Sequence, residues 1–176
     1  LVFFNQDGGA LLITDSSNTL TINSVIFEDN VGFNGGAISI SGGSLSITDC
    51  TFYNNQAAYW GGAIVSKDSG IKIIRSIFDS NQARGDLIED SQLVIETEQA
   101  GRGGGVYANG GSRMTVRDSL FTSNAAQIAG GAIHAKLVSG LDVWGCDFID
   151  NSALGGQECN AENVCGIRGG ALFITD

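Results

Sequence analysis

The sequence predicts an all-β chain wound as a right-handed parallel β-helix, a single-stranded solenoid with three short strands per coil of about 26 residues and two loop insertions. Three observations predict it. A Gly-Gly box recurs six times, a Phe-x-x-Asn box recurs five times, and an alternating apolar–polar run precedes each boxed Phe. The order of the three is constant along the chain.

The Gly-Gly box begins at Gly8, Gly35, Gly61, Gly103, Gly130 and Gly169, at intervals of 27, 26, 42, 27 and 39 residues. The second box begins at Phe27, Phe52, Phe78, Phe121 and Phe148, at intervals of 25, 26, 43 and 27. Both series lengthen at the same place, between Asn81 and Gly103. The Gly-Gly series lengthens again between Asn151 and Gly169. The long intervals therefore hold insertions, placed at about 84–102 and 155–168. The remaining chain, 1–176, reads as one β-helix segment, expected to belong to a longer solenoid because Gly8–Asp15 and Gly169–Asp176 repeat the same phase of the coil.

Each element has a local reason. Leu20-Thr21-Ile22, Leu45-Ser46-Ile47, Ile71-Lys72-Ile73, Met114-Thr115-Val116 and Leu141-Asp142-Val143 alternate with a period of two, the mark of a strand with one buried face. A second strand surrounds the boxed Phe, and a third follows the Gly-Gly pair. Turns fall at Asn, Ser and Asp positions and at the Gly-Gly pair, which supplies positive φ or a close backbone approach. No single coil can bury its own apolar face, so coils must stack at about 4.8 Å per turn. Register then places like on like. Phe27, Phe52, Phe78, Phe121 and Phe148 should form an internal stack, and Ile38, Ile64, Val106, Ile133 and Leu172 should line the same core. Asn30, Asn55, Asn81, Asn124 and Asn151 should form a ladder at a turn, bonding to each other or to turn backbone.

Composition supports the reading. Gly is 26 of 176 residues, about twice the usual ~7%, yet the chain is rich in Ile, Val, Leu and Phe, unlike a disordered linker. Pro is zero, as suits strands whose N–H groups are all needed for pairing. The net charge of −10 argues against nucleic acid as a partner, because phosphates need Lys and Arg. No apolar run approaches the ~20 residues of a membrane helix, so no membrane insertion by this segment is expected.

Paired GGA[ILV] and FxxN boxes of this kind resemble the repeat of the chlamydial polymorphic outer-membrane proteins. The resemblance covers nearly the whole chain outside the insertions. It implies a surface-exposed β-helix passenger, in several relatives an adhesin, attached to a C-terminal β-barrel. It implies no catalytic residues.

Candidate sites are few. Cys159 and Cys165, six apart in a polar insertion, read as a local disulfide in an oxidising compartment. Cys50 and Cys146 share a column with Val25, Ser76 and Ser119. They stand three coils apart, about 14 Å, and so read as buried free thiols acting as small apolar residues. The column after the GGA[IL] box (Leu12, Ser39, Val65, Tyr107, His134 and Phe173) should point outward and form a contact stripe for a protein or glycan, unless the insertions cover it. It holds the only His, read as a bystander. Tyr59-Trp60 at a corner either stacks on sugars or caps the core beside Phe33. In the first insertion Arg84, Asp86, Glu89, Asp90, Glu96, Glu98 and Arg102 read as a solvated loop, with a Ca²⁺ site as the alternative. No other cofactor is expected.

The expected function is a secreted or cell-surface structural or adhesive β-solenoid, a stalk or fibre component without enzymatic activity. Its partners would be further coils or end-to-end copies, and glycans or a host or cell-surface protein. The alternatives are a carbohydrate-active β-helix of lyase or epimerase type, which would need clustered carboxylates with a Lys, Arg or His, and a passive glycan-binding module.

Overall fold

The computed structural model describes residues 7–14, 17, 19–85, 101–111, 113–154 and 169–175. These residues form 21 strands in four parallel sheets. Sheet A, after the Gly-Gly corner, holds β1 (Leu11–Ile13), β5 (Ile38–Ser41), β9 (Ile64–Lys67), β13 (Val106–Asn109), β17 (Ile133–Lys136) and β21 (Leu172–Thr175). Sheet B holds the alternating runs as β2 (Thr19–Asn23), β6 (Ser44–Thr48), β10 (Gly70–Ile74), β14 (Met114–Arg117) and β18 (Leu141–Trp144). Sheet C holds the boxed Phe on β3 (Ile26–Glu28), β7 (Thr51–Tyr53), β11 (Ile77–Asp79), β15 (Leu120–Thr122) and β19 (Asp147–Ile149).

Sheet D corrects the expectation of three strands per coil. Its members are β4 (Val31–Asn34), β8 (Gln56–Trp60), β12 (Gln82–Ala83), β16 (Ala125–Ala126) and β20 (Ser152–Ala153). Three of them are only two residues long and rich in Ala, too short to show a period and poor in β-formers. Stacking, not propensity, makes them strands. Between β4 and β8 the register shifts after Gly32, because the first coil has one residue fewer between its ladder Asn and its Gly-Gly pair.

In-register pairing aligns each Phe with the next. Successive rings lie 4.8, 4.6, 4.7 and 5.1 Å apart and within 13° of parallel. The spacing equals the strand separation, so the backbone ladder and the ring stack fit one repeat. Ile38, Ile64, Val106 and Ile133 pack against this stack, with Leu45, Ile47, Ile71 and Ile73 opposite.

The Asn column runs beside the stack. The side chains of Asn55, Asn81 and Asn124 each close four hydrogen bonds in the interior. Asn81 Nδ2 donates to Asn124 Oδ1 at 2.9 Å and to the Phe52 carbonyl at 3.0 Å. Its Oδ1 accepts from the N–H and the Nδ2 of Asn55 at 3.0 and 2.9 Å. Asn124 repeats the pattern toward Asn151 and Phe78. Every donor and acceptor of a fully buried amide is thereby used, which is what makes its burial tolerable.

A second ladder runs through the column that contains Cys50. Ser76 Oγ accepts from the Cys50 N–H at 3.2 Å and donates to the Ile74 carbonyl at 2.9 Å. Ser119 Oγ does the same for the Ser76 N–H and the Arg117 carbonyl. Cys50 is a buried free thiol, but its Sγ lies 3.2 Å from the Thr48 carbonyl, a weak donor rather than a merely apolar filler. In both ladders the preceding residue is left-handed: Asp49, Arg75 and Asp118 before the Ser/Cys column, and Asp29, Asn54, Ser80, Ser123 and Asp150 before the Asn column. This single kink turns the chain and aims the next side chain inward.

The Gly-Gly pair has two distinct tasks. The first Gly of every box sits at positive φ, between 55° and 69°. The second does not, but in the first five boxes a Cβ there would overlap the carbonyl oxygen of the matching Gly in the next coil, Gly104 in the case of Gly62. Only hydrogen fits at that point of contact between coils.

Candidate interaction surface

Alternation places Leu12, Ser39, Val65, Tyr107, His134 and Phe173 on the face of sheet A away from the Phe stack. The contact stripe expected there is not exposed. Val65 and His134 expose none of their surface and Tyr107 3%; Leu12, at 51%, remains open, and Phe173 is half-buried. A second aromatic layer covers the sheet. Phe33 stacks on Tyr59 at 5.5 Å, Tyr59 meets Trp60 edge-on, and Trp60 stacks on Tyr107 at 5.2 Å. The chain of rings continues from Tyr107 to His134 to Phe173 at 5.2 and 5.0 Å. Period two assigns a side chain to a face of a sheet, but does not say what lies beyond that face. Here β8 runs straight into the Gly61 corner, so its last two rings lie against the outside of sheet A. Tyr59-Trp60 is thus a cap beside Phe33 rather than a sugar platform, with the Lys67 ammonium 4.9 Å from the Trp60 ring centre. Burial pushes the Tyr107 hydroxyl above the usual tyrosine range, partly offset by Arg102.

The first insertion leaves and rejoins one rung. Arg84 and Gly85 donate to the carbonyls of Ala57 and Ala58, and Gly101 donates to that of Tyr59. Arg102 then bridges Trp60 on one side and Ala129 on the other. The ladder of sheet D therefore continues past the insertion without losing register. Asp86, Glu89, Asp90, Glu96 and Glu98, with the Ca²⁺ alternative they carry, lie outside the described residues, as do Cys159 and Cys165. Among the described residues no three His, Cys, Asp or Glu side chains form a group that could hold a metal ion. No helix among them is long and apolar enough to cross a membrane.

The exposed charges pair between coils. Arg75 Nε and Nη2 reach the two oxygens of Asp49, each at 2.8 Å, and Arg117 reaches Asp142 at 2.8 Å. The hydrogen bonds from these guanidinium groups hold the Asp49 and Asp142 carboxyls below the ordinary carboxylate range. Cys146 is free and half-buried. Desolvation raises its thiol pKa, against hydrogen bonds to backbone at Ser119 and Trp144. That shift disfavours the reactive thiolate.

Comparison with known proteins agrees with the geometry. A family model described as a right-handed β-helix region matches residues 61–167. A second, described as the Chlamydia polymorphic membrane protein repeat, matches residues 49–67, which span one Phe-x-x-Asn box and one Gly-Gly box. The chain is 33% identical over 142 residues to "Probable autotransporter YfaL" of Escherichia coli (strain K12), covering 76% of this chain and 11% of that protein. It is 29% identical over 134 residues to "Metabotropic glutamate receptor-like protein Q" of Dictyostelium discoideum, covering 69% of this chain and 11% of that protein. The chain thus spans about a tenth of the length of either relative. No solved structure is a significant match.

Proposed function

The chain belongs to the right-handed β-helix region family, and from that premise we propose that it is a rigid segment of a surface-exposed, passenger-like β-solenoid with a structural and adhesive role. The observation that carries this reading is the unbroken interior. Five Phe rings and five Asn amides stack from coil to coil, sheets A, B and C keep one register throughout, sheet D shifts only between β4 and β8, and the first insertion returns to the rung it left. Such a body acts as a spacer that holds its outer columns at fixed height. Similarity to a stretch of an autotransporter and to the chlamydial repeat supports the surface location. The chain would be one portion of a longer stack of coils, in one polypeptide or by end-to-end pairing, and would lie outside the cell. The Cys159–Cys165 disulfide is part of the same proposal, since it needs an oxidising compartment.

The test is display and adhesion. The chain is fused between a secretion signal and an outer-membrane translocator in E. coli, and intact cells are treated with protease and applied to immobilised cell-surface proteins and glycans. Accessible chain and retention of cells above the translocator-only control are expected. Cleavage of uronic-acid polymers by the purified chain, or retention no better than the control, would overturn the adhesive reading.

A further inference from the structure

Sheet C turns its Phe column inward, so the two flanking residues of each three-residue strand point outward. One outward column is Ile26, Thr51, Ile77, Leu120 and Asp147; the other is Glu28, Tyr53, Asp79, Thr122 and Ile149. Every coil thus shows one apolar residue on this face: Ile26, Tyr53, Ile77, Leu120 and Ile149 in turn. Ile26 exposes 71% of its surface, Ile149 49%, and Ile77 and Tyr53 41% each. Nothing in the interior repeat requires these residues, because the outward positions make no core contact. Over five coils they form a stripe about 20 Å long.

The stripe is set in negative charge. Glu28, Asp79 and Asp147 share its strands, and Asp29 and Asp150 stand at the corner toward sheet D. Among the described residues of this face and its two corners the one basic side chain is Arg75, held by both oxygens of Asp49. An apolar stripe in an acidic field repels anionic lipid headgroups, nucleic acids and sulfated glycans. Neutral glycans would donate hydroxyls to the carboxylates but leave the isoleucines unmatched. A polypeptide with Lys or Arg beside apolar side chains satisfies both.

We propose that the outer face of sheet C is a docking surface for a cationic, apolar segment of a partner protein. The proposal deepens the surface-solenoid reading and rests on it only in placing the partner outside this chain. The stripe supplies apolar burial, and the carboxylates supply orientation and rapid encounter.

The test uses the purified chain and three synthetic peptides of equal length: alternating Lys and Leu, alternating Lys and Ser, and alternating Glu and Leu. Fluorescence anisotropy is read at low and high salt. The Lys–Leu peptide should bind, more weakly as salt rises. Its Kd should increase at least about tenfold for the double variant I77S/Y53S, and likewise for D79N/E28Q. Asp68→Asn, an exposed carboxylate at the corner between sheets A and B, should leave it unchanged. Equal binding of the Lys–Ser peptide, no binding of the Lys–Leu peptide, or an equal loss with Asp68→Asn would overturn the proposal. Those results would leave protease accessibility on displaying cells untouched, so failure here is distinct from failure of the surface reading.

Discussion

Replacing Asn81 by Ala should destabilise the chain by about 3–5 kcal/mol, and the structure says why. The substitution leaves two buried donors without partners, the Asn55 N–H and one hydrogen of Asn55 Nδ2, and takes one donor from the Phe52 carbonyl, which stays in the sheet C ladder. Asn124 Oδ1 keeps the Asn81 N–H at 3.1 Å and is spared. Each orphaned group costs about 1–3 kcal/mol. The side chain is fully buried, so solvent offers little relief, and partial relaxation brings the sum toward the lower part of the range. Against a usual total of about 5–15 kcal/mol this is a large share. Asn30→Ala supplies the internal contrast. Among the described residues Asn30 donates its N–H and Nδ2 to Asn55 Oδ1 and closes no bond to an earlier coil, so its loss should cost about 1 kcal/mol or less. A third variant, Asn81→Asp, separates hydrogen bonding from packing. An ionised carboxylate cannot donate to Asn124 or to the Phe52 carbonyl, whereas a protonated one donates once. Its deficit should therefore shrink on acidification, relative to the parent at the same pH. Urea midpoints at constant m-value measure all three. Equal losses for Asn81→Ala and Asn30→Ala, or an Asn81→Asp deficit unchanged by acid, would refute the ladder as an energetic element.

Phe78→Ala removes the middle ring of the stack, fully buried between partners at 4.6 and 4.7 Å, and should cost about 3–5 kcal/mol in urea unfolding; a loss under about 1 kcal/mol would mean the stack is incidental. Gly62→Ala drives a Cβ into the Gly104 carbonyl and should prevent soluble expression or lower the urea midpoint more than any surface Gly→Ala, such as Gly140→Ala, whose Cβ would meet nothing closer than Arg113 Cγ at 3.7 Å. Cys50→Ser should be tolerated within about 1 kcal/mol, because Ser already fills the column at 76 and 119. Cys50 in the parent should resist thiol reagents until the chain unfolds. The Asp49 and Asp142 carboxyls have folded pKa values below their unfolded ones, so their contribution is present above about pH 4 and is lost as pH falls through the lowered values. The difference in urea midpoint between the parent and Asp49→Asn should therefore vanish at low pH, and shrink in high salt because the pair is solvent-exposed.

What was readable in the sequence was whatever repeats with a fixed interval. Phe27 to Phe148 and Asn30 to Asn151 recur every 25–27 residues apart from the insertion, so register, core and the Asn column are legible in the chain itself. Sheet D was not, because Gln82-Ala83 and Ala125-Ala126 carry no period and become strands only when coils stack. The Ser/Cys ladder was half legible. The column was visible, but Oγ acceptance by Ser76 and Ser119 depends on the left-handed residue before each, and Arg75 or Asp118 at such a position gives no signal of its own. The outward stripe on sheet A is legible as a face but not as an environment. Alternation fixes the direction of Val65 and Tyr107, while their burial depends on rings one corner away, at Tyr59 and Trp60.

The two kinds of column have different freedom. Inward positions are bound by self-complementarity: a Phe must meet a Phe one rung away, an Asn must meet an Asn, and the second Gly must meet a carbonyl. Each coil is therefore a constraint on the next, and the sequence there carries fold and little else. Outward positions meet only their neighbours along the same face, so Ile26, Thr51, Ile77, Leu120 and Asp147 can differ while sharing a column. Recognition in such a protein has to be written in the outward columns and in the insertions, because substitution there leaves both ladders intact. This is also why repeat boxes alone identify the solenoid but not its partner. Exchanging the outward residues of sheet C, with the Phe and Asn columns untouched, should change what the body binds and leave its unfolding free energy within about 1 kcal/mol of the parent.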